Sequence, residues 1–141
     1  MLKHSKSDYE LVVKVQHDLP FEFNDSRVTV EVSNPKNRED LYRGFDAMLL
    51  PRKYGGLCLP MNEALLSGIP VFMTNVAPNN EVLPKEWLVK SLNCGSFMAK
   101  TKINLYETVP QIFAQAIDNY VTSADKQKEK EKAVLLSLIH I

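Results

Sequence analysis

The sequence predicts an α/β fold, an open parallel sheet with helices on both faces. Three observations carry that reading. Short β-branched runs alternate with amphipathic helical stretches, a glycine-rich loop runs off a strand into a helix, and residues 47–74 read as a strand, helix, strand unit. Such a unit joins parallel strands through a right-handed crossover.

The elements follow in order. "ELVVKVQ" (10–16) is a β-branched run suited to a buried strand, and "RVTVEV" (27–32) places Val28, Val30 and Val32 at strand period. After the turn residues of "SNPKN", Asn37 is a plausible N-cap with Asp40 three residues on, and Leu41, Tyr42 and Phe45 share one face of a helix of about two turns. "AMLLP" (47–51) is a buried strand, and "PVFMT" (70–74) closes the unit after the glycine loop and its helix. The strands at 10–16, 28–32, 47–50 and 70–74 are expected as neighbours. "SFMAK" is a weak strand. Thr108 with Gln111 resembles a capping box for a helix that presents Ile112, Phe113, Ala116, Ile117, Tyr120 and Val121 to the sheet.

Residues 1–125 thus form one domain, and 126–141 stand apart. "ADKQKEKEKA" is a charge run that solvates itself, so the tail is expected to pack on nothing. Its end, "LLSLIHI", resembles a translation of sequencing-adapter DNA closing a truncated reading frame. A non-native origin therefore stands beside a native one, and the octet "VLLSLIHI" is left out of the fold argument.

Composition bounds the function classes. The 141 residues suit one core, 45% are apolar and 24% charged, and 17 basic residues balance 17 acidic ones. That balance removes the bulk electrostatic case for nucleic acid or an anionic membrane surface and leaves room for a local anion site. Cys58 and Cys94 form no CxxC pair, and neither a secretory signal nor an 18-residue apolar run is present. A cytoplasmic protein in a reducing compartment, with no transmembrane segment, is expected. His4, His17 and His140 lack ligand spacing, so no metal is expected.

The stretch "YGGLCLPMNEALLSGIP" (54–70) carries the chemistry. A glycine loop entering a helix N-terminus offers unpaired N–H groups and the positive end of the helix dipole, which favours phosphate. Gly55 and Gly56 allow close backbone approach, and Leu57, Cys58 and Leu59 would act through their amides. Pro60 suits the first turn. Glu63, one turn in, is placed to accept hydrogen bonds from a sugar diol, a ribose by analogy with dinucleotide-binding folds. The competing reading is structural: glycine loops between strand and helix are common, and the dipole alone favours an early glutamate. Arg52 and Lys53 lie at the carboxyl end of the "AMLLP" strand, where open α/β sheets place ligands, or are a solvated surface pair.

These residues also carry a family resemblance. "LYRGFDAMLLPRKYGGLCLPMNEALLSGIPVFMTNVAPNNEVLP" (41–84) resembles the donor-binding segment of retaining glycosyltransferases of the GT-B architecture, the glycogen synthase and sucrose synthase type (glycosyl transferases group 1). The likeness rests on Pro51, the glycine loop, Leu59, Pro60, Glu63, Ala64, the "SGIPV" of 67–71 and Glu81, and covers about residues 8–125. It implies a Rossmann-like C-terminal domain in which a nucleotide-sugar donor lays its diphosphate on the amides of residues 57–59 and its ribose on Glu63. No separate cofactor is implied, and the acceptor is unspecified. The family's second glutamate, which holds the transferred sugar, stands eight positions earlier, at Gly55 here. The family's basic loop and its N-terminal acceptor-binding domain would lie upstream of Met1, so the chain reads as the donor half of a longer enzyme. The fragment alone is then expected to be inactive. A noncatalytic nucleotide-binding module, and a GT-B relative acting as sugar-nucleotide epimerase or phosphorylase, are the alternatives.

Overall fold

In the computed structural model, residues 1–122 and 125–139 are described. They form a mixed α/β structure with two small parallel sheets, one antiparallel hairpin and three α-helices. The first parallel sheet pairs β1 (Leu11–Val15) with β2 (Val28–Val32), Leu11 opposite Val28. The second has the order β3 (Met48–Leu50), β4 (Val71–Thr74), β5 (Leu88–Val89), with Met48 opposite Val71 and Met73 opposite Leu88. Helix α1 (Leu59–Leu66) connects β3 to β4, so the strand, helix, strand unit is present with parallel strands.

The four early strands do not share one ladder. They divide between the two sheets, because no backbone ladder joins β1 to β3 among the described residues. The expected helix after Asn37 is a single 3-10 turn, Arg38–Leu41. Asn37 makes no capping hydrogen bond there, and Gly44, at φ 84°, stands in the left-handed region that ends helical continuation.

β4 is the centre of the core: its apolar Val71, Phe72 and Met73 are buried, and the polar Thr74 is buried with them. Phe72 packs against Tyr120 and Trp87 at ring distances of 5.3 and 6.5 Å. Met61, Ala64 and Leu65 of α1 join this cluster, as do Phe113 and Ile117 of α2 (Pro110–Thr122). The apolar stripe read on α2 is the face that packs. Its capping box is not formed, since the Thr108 hydroxyl donates to the Lys90 carbonyl and proline opens the helix instead.

"SFMAK" is the end of a longer strand. β6 (Ser91–Met98) pairs antiparallel with β7 (Lys102–Thr108), a strand the sequence reading did not see, with a bulge at Asn93/Gly95. Every residue of β6 after Ser91 is exposed, so β6 lacks the one-sided burial that makes a strand legible, whereas β7 alternates, with Ile103 and Leu105 half-buried between exposed Lys102 and Asn104.

The expectation that the tail packs on nothing is overturned for residues 126–139, which form α3 (Lys126–Ile139) lying against α1. Ala133 and Ser137 are one turn apart and both buried, so small side chains allow close approach. The charge run is spent on tertiary pairs. The Trp87 indole donates to Glu129 (2.7 Å), Lys130 pairs with Asp46 (3.0 Å), and Lys132 pairs with Glu86 and sits 5.6 Å over the Trp87 ring. Leu135, Leu138 and Ile139 stay exposed. His140 and Ile141, the end of the apolar octet, lie outside the described residues.

Candidate functional site

The loop between β3 and α1 lies at the carboxyl end of the strand, where parallel α/β sheets open toward ligands. Two contacts fix it in place. A Cβ built on Gly55 would lie 1.7 Å from the Ala77 carbonyl oxygen, so the loop backbone rests directly on the turn that follows β4. One residue on, the Gly56 amide donates to the Asn79 side-chain oxygen (3.1 Å) and its carbonyl accepts from the Asn79 side-chain nitrogen (2.9 Å). Asn79 is buried, and this reciprocal pair satisfies its amide as burial demands. The hairpin braces the other side of the loop: the Tyr106 amide donates to the Lys53 carbonyl (2.6 Å), and Tyr54 meets Phe97 edge-on at 5.8 Å.

The sequence-named residues therefore divide into two kinds. Gly55 and Gly56 are positioned by contacts with the 77–79 turn, and the Gly56 amide, being already used, is not available to an anion. The amides of Leu57, Cys58 and Leu59 donate to no acceptor among the described residues, as expected for groups at a helix N-terminus. Leu57 and Leu59 turn their side chains outward, Cys58 turns inward, and Pro60 sits in the first turn. Arg52 is half-buried, Lys53 is exposed, and neither forms an ion pair among the described residues.

Glu63 has partners that the sequence reading missed. It lies past the first turn of α1, so the helix dipole is not what holds it. One carboxylate oxygen accepts from the Tyr42 hydroxyl at 2.6 Å and the other pairs with the Arg38 guanidinium at 2.8 Å. The Tyr42 hydrogen bond, with Arg38 adding to it against the opposing effect of burial, holds the Glu63 carboxyl below the usual carboxylate range. Burial, reinforced by Glu63, pushes the Tyr42 phenol up, which keeps it a donor. Tyr42 was read as one more residue of an apolar helical face. Nothing in its local spacing distinguishes a core tyrosine from one whose hydroxyl reaches a carboxylate 21 positions away.

A separate groove of about 410 Å³, lined by Tyr42, Gly44, Phe45, Ser67, Ile69 and Lys130 among others, lies by the C-terminal end of α1 and contains none of the loop residues. The loop site is an open surface, and its free amides and fixed carboxylate make it the better candidate for polar chemistry. No helix among the described residues is long and apolar enough to cross a membrane. Comparison with protein-family models, curated proteins and solved structures finds no match to this chain.

Proposed function

We propose that this chain binds the diphosphate and ribose of a nucleotide sugar and is the donor half of a retaining glycosyltransferase. The observation that carries the reading is the pairing of three unengaged amides, at residues 57–59, with a preorganised carboxylate one turn along the same helix. Fixed N–H groups and the helix terminus supply the stabilisation that a departing diphosphate needs as negative charge develops on it, without a metal. The sugar would pass to a hydroxyl acceptor held by an acceptor-binding domain outside this chain, in a cytoplasmic enzyme.

The two parallel sheets support a Rossmann-like arrangement. Parallel pairing within β1-β2 and within β3-β4-β5, with α1 crossing over from β3 to β4, is what supports it. The Gly55 contact favours the second reading, a nucleotide-binding module without transfer activity. The Ala77 carbonyl occupies the space a side chain would need, so this position cannot supply a carboxylate to the transferred sugar.

Calorimetric titration with uridine, guanosine and adenosine diphosphates tests the binding. Losing a charged partner from a hydrogen bond typically costs about 1.5–3 kcal/mol, so Glu63→Gln is expected to weaken binding roughly tenfold to a hundredfold. Equal affinities in wild type and variant would remove Glu63 from the site.

A further inference from the structure

The carboxylate of Glu63 is held by two donors of different character. Tyr42 is buried, and its hydroxyl reaches Glu63 from within the core. Arg38 stands on the exposed turn 38–41 with 67% of its side chain in solvent, while the Glu63 side chain is 24% exposed. A carboxylate offers about four lone-pair sites across two oxygens. Tyr42 takes one site on one oxygen and Arg38 one on the other, so a vicinal diol that donates a hydroxyl proton to each oxygen from the solvent side competes with the exposed guanidinium and not with the buried hydroxyl. The buried donor cannot leave without stranding its own hydroxyl, whereas the exposed one returns to water at little cost.

We infer that Tyr42 is a positioning residue that fixes the Glu63 carboxylate for a vicinal diol, and that Arg38 is the occupant the diol displaces. The inference rests on the nucleotide reading above and adds to it the two side chains that set the carboxylate, with the ribo form preferred over the 2′-deoxy form as the readout. Arg38 thereby acts as a competitor for the site, not as a phosphate ligand.

The test is calorimetric titration of the intact chain with a ribonucleoside diphosphate and its 2′-deoxy counterpart. The wild type is expected to prefer the ribo form by about tenfold or more, the worth of one hydrogen bond to a charged group. Tyr42→Phe keeps the ring and is expected to shrink that preference by roughly threefold to tenfold. Any loss of folded fraction lowers both apparent affinities alike, so the ratio isolates positioning from stability. Arg38→Ala is expected to tighten ribonucleotide binding by about twofold to fivefold, the scale of an exposed ion pair. An unchanged ratio in Tyr42→Phe would reduce that residue to packing and overturn the inference. Weaker or unchanged binding in Arg38→Ala overturns it too, because displacement requires the opposite sign. A wild type that binds ribo and deoxy forms equally well defeats this inference alone; one that binds no nucleoside diphosphate defeats the donor reading with it.

Discussion

Replacing Gly55 by alanine adds one methyl group where no space exists. The new Cβ would stand 1.7 Å from the Ala77 oxygen and 2.5 Å from its carbon, and ordinary contact begins near 3.4 Å. Both obstacles are backbone, so neither can rotate away. The loop and the 77–79 turn must separate by more than an ångström, and the Asn79 pair with Gly56 spans only 3.1 and 2.9 Å. Overpacking of this kind costs about 1–3 kcal/mol. Leaving the buried Asn79 amide unsatisfied adds about 1–3 kcal/mol. A loss of about 3–5 kcal/mol is at the exceptional end for a point substitution and lowers Tm by roughly 10–15 °C in a chain of this size. Gly44→Ala is the control: its φ is 84° but nothing lies within 4 Å, so only the left-handed backbone preference, about 1 kcal/mol, is at stake. Urea titrations followed by the fluorescence of Trp87, the one tryptophan, together with calorimetric melting, measure both. Gly55→Ala melting within two or three degrees of Gly44→Ala would refute the argument. Gly55→Glu is expected to be at least as damaging.

Truncation after Asp125 is expected to lower Tm by more than about 5 °C and to shift Trp87 emission to the red, since α3 supplies the Glu129 acceptor and the Lys132 cover of a residue only 1% exposed. Unchanged emission and melting would make α3 an ornament of the surface. Asp118 is held down to about 2 by hydrogen bonds from the Ser5 hydroxyl and the Lys6 amide, against an ordinary 3.8. Its stabilisation is therefore present above about pH 4 and is lost as pH falls from 4 toward 2. Asp118→Asn is expected to flatten that part of the acid-unfolding curve, and a superimposable curve would show the contact to be without consequence.

The parts legible in the sequence were those whose signal is local. β4 opens with a three-residue apolar run, Val71 to Met73, α2 carries an apolar stripe at helical spacing, and the glycine loop is marked by its own residues. What escaped reading depends on partners far away in sequence. α3 is a charge run until Trp87, Glu86 and Asp46 are placed beside it, at which point its lysines and Glu129 become tertiary contacts. β6 escaped because it is exposed on both faces, while β7 did carry a short alternation, Ile103 and Leu105 between Lys102 and Asn104, that went unread. At the candidate site, the loop amides and Glu63 were singled out from the chemistry they offer. Asn79, Tyr42 and Arg38 were not, because each acts through a hydrogen bond spanning more than 20 positions that no local pattern encodes.

The tie between Ser5, Lys6 and Asp118 joins the beginning of the chain to its penultimate helix across more than 110 positions. A loop of that length costs roughly 4 kcal/mol of closure entropy beyond the constant term, so its bonds are unfavourable until the intervening core exists to bring the ends together. On a translating ribosome the order is imposed by time as well. At about 5–20 residues per second, Ser5 waits roughly 6 to 23 s for Asp118 to be made. During that interval the amides of residues 6 and 7 are solvated and the first strand pair lacks its anchor on α2. The amides of residues 6 and 7 are thus expected to acquire protection from hydrogen exchange only after α2 is in place.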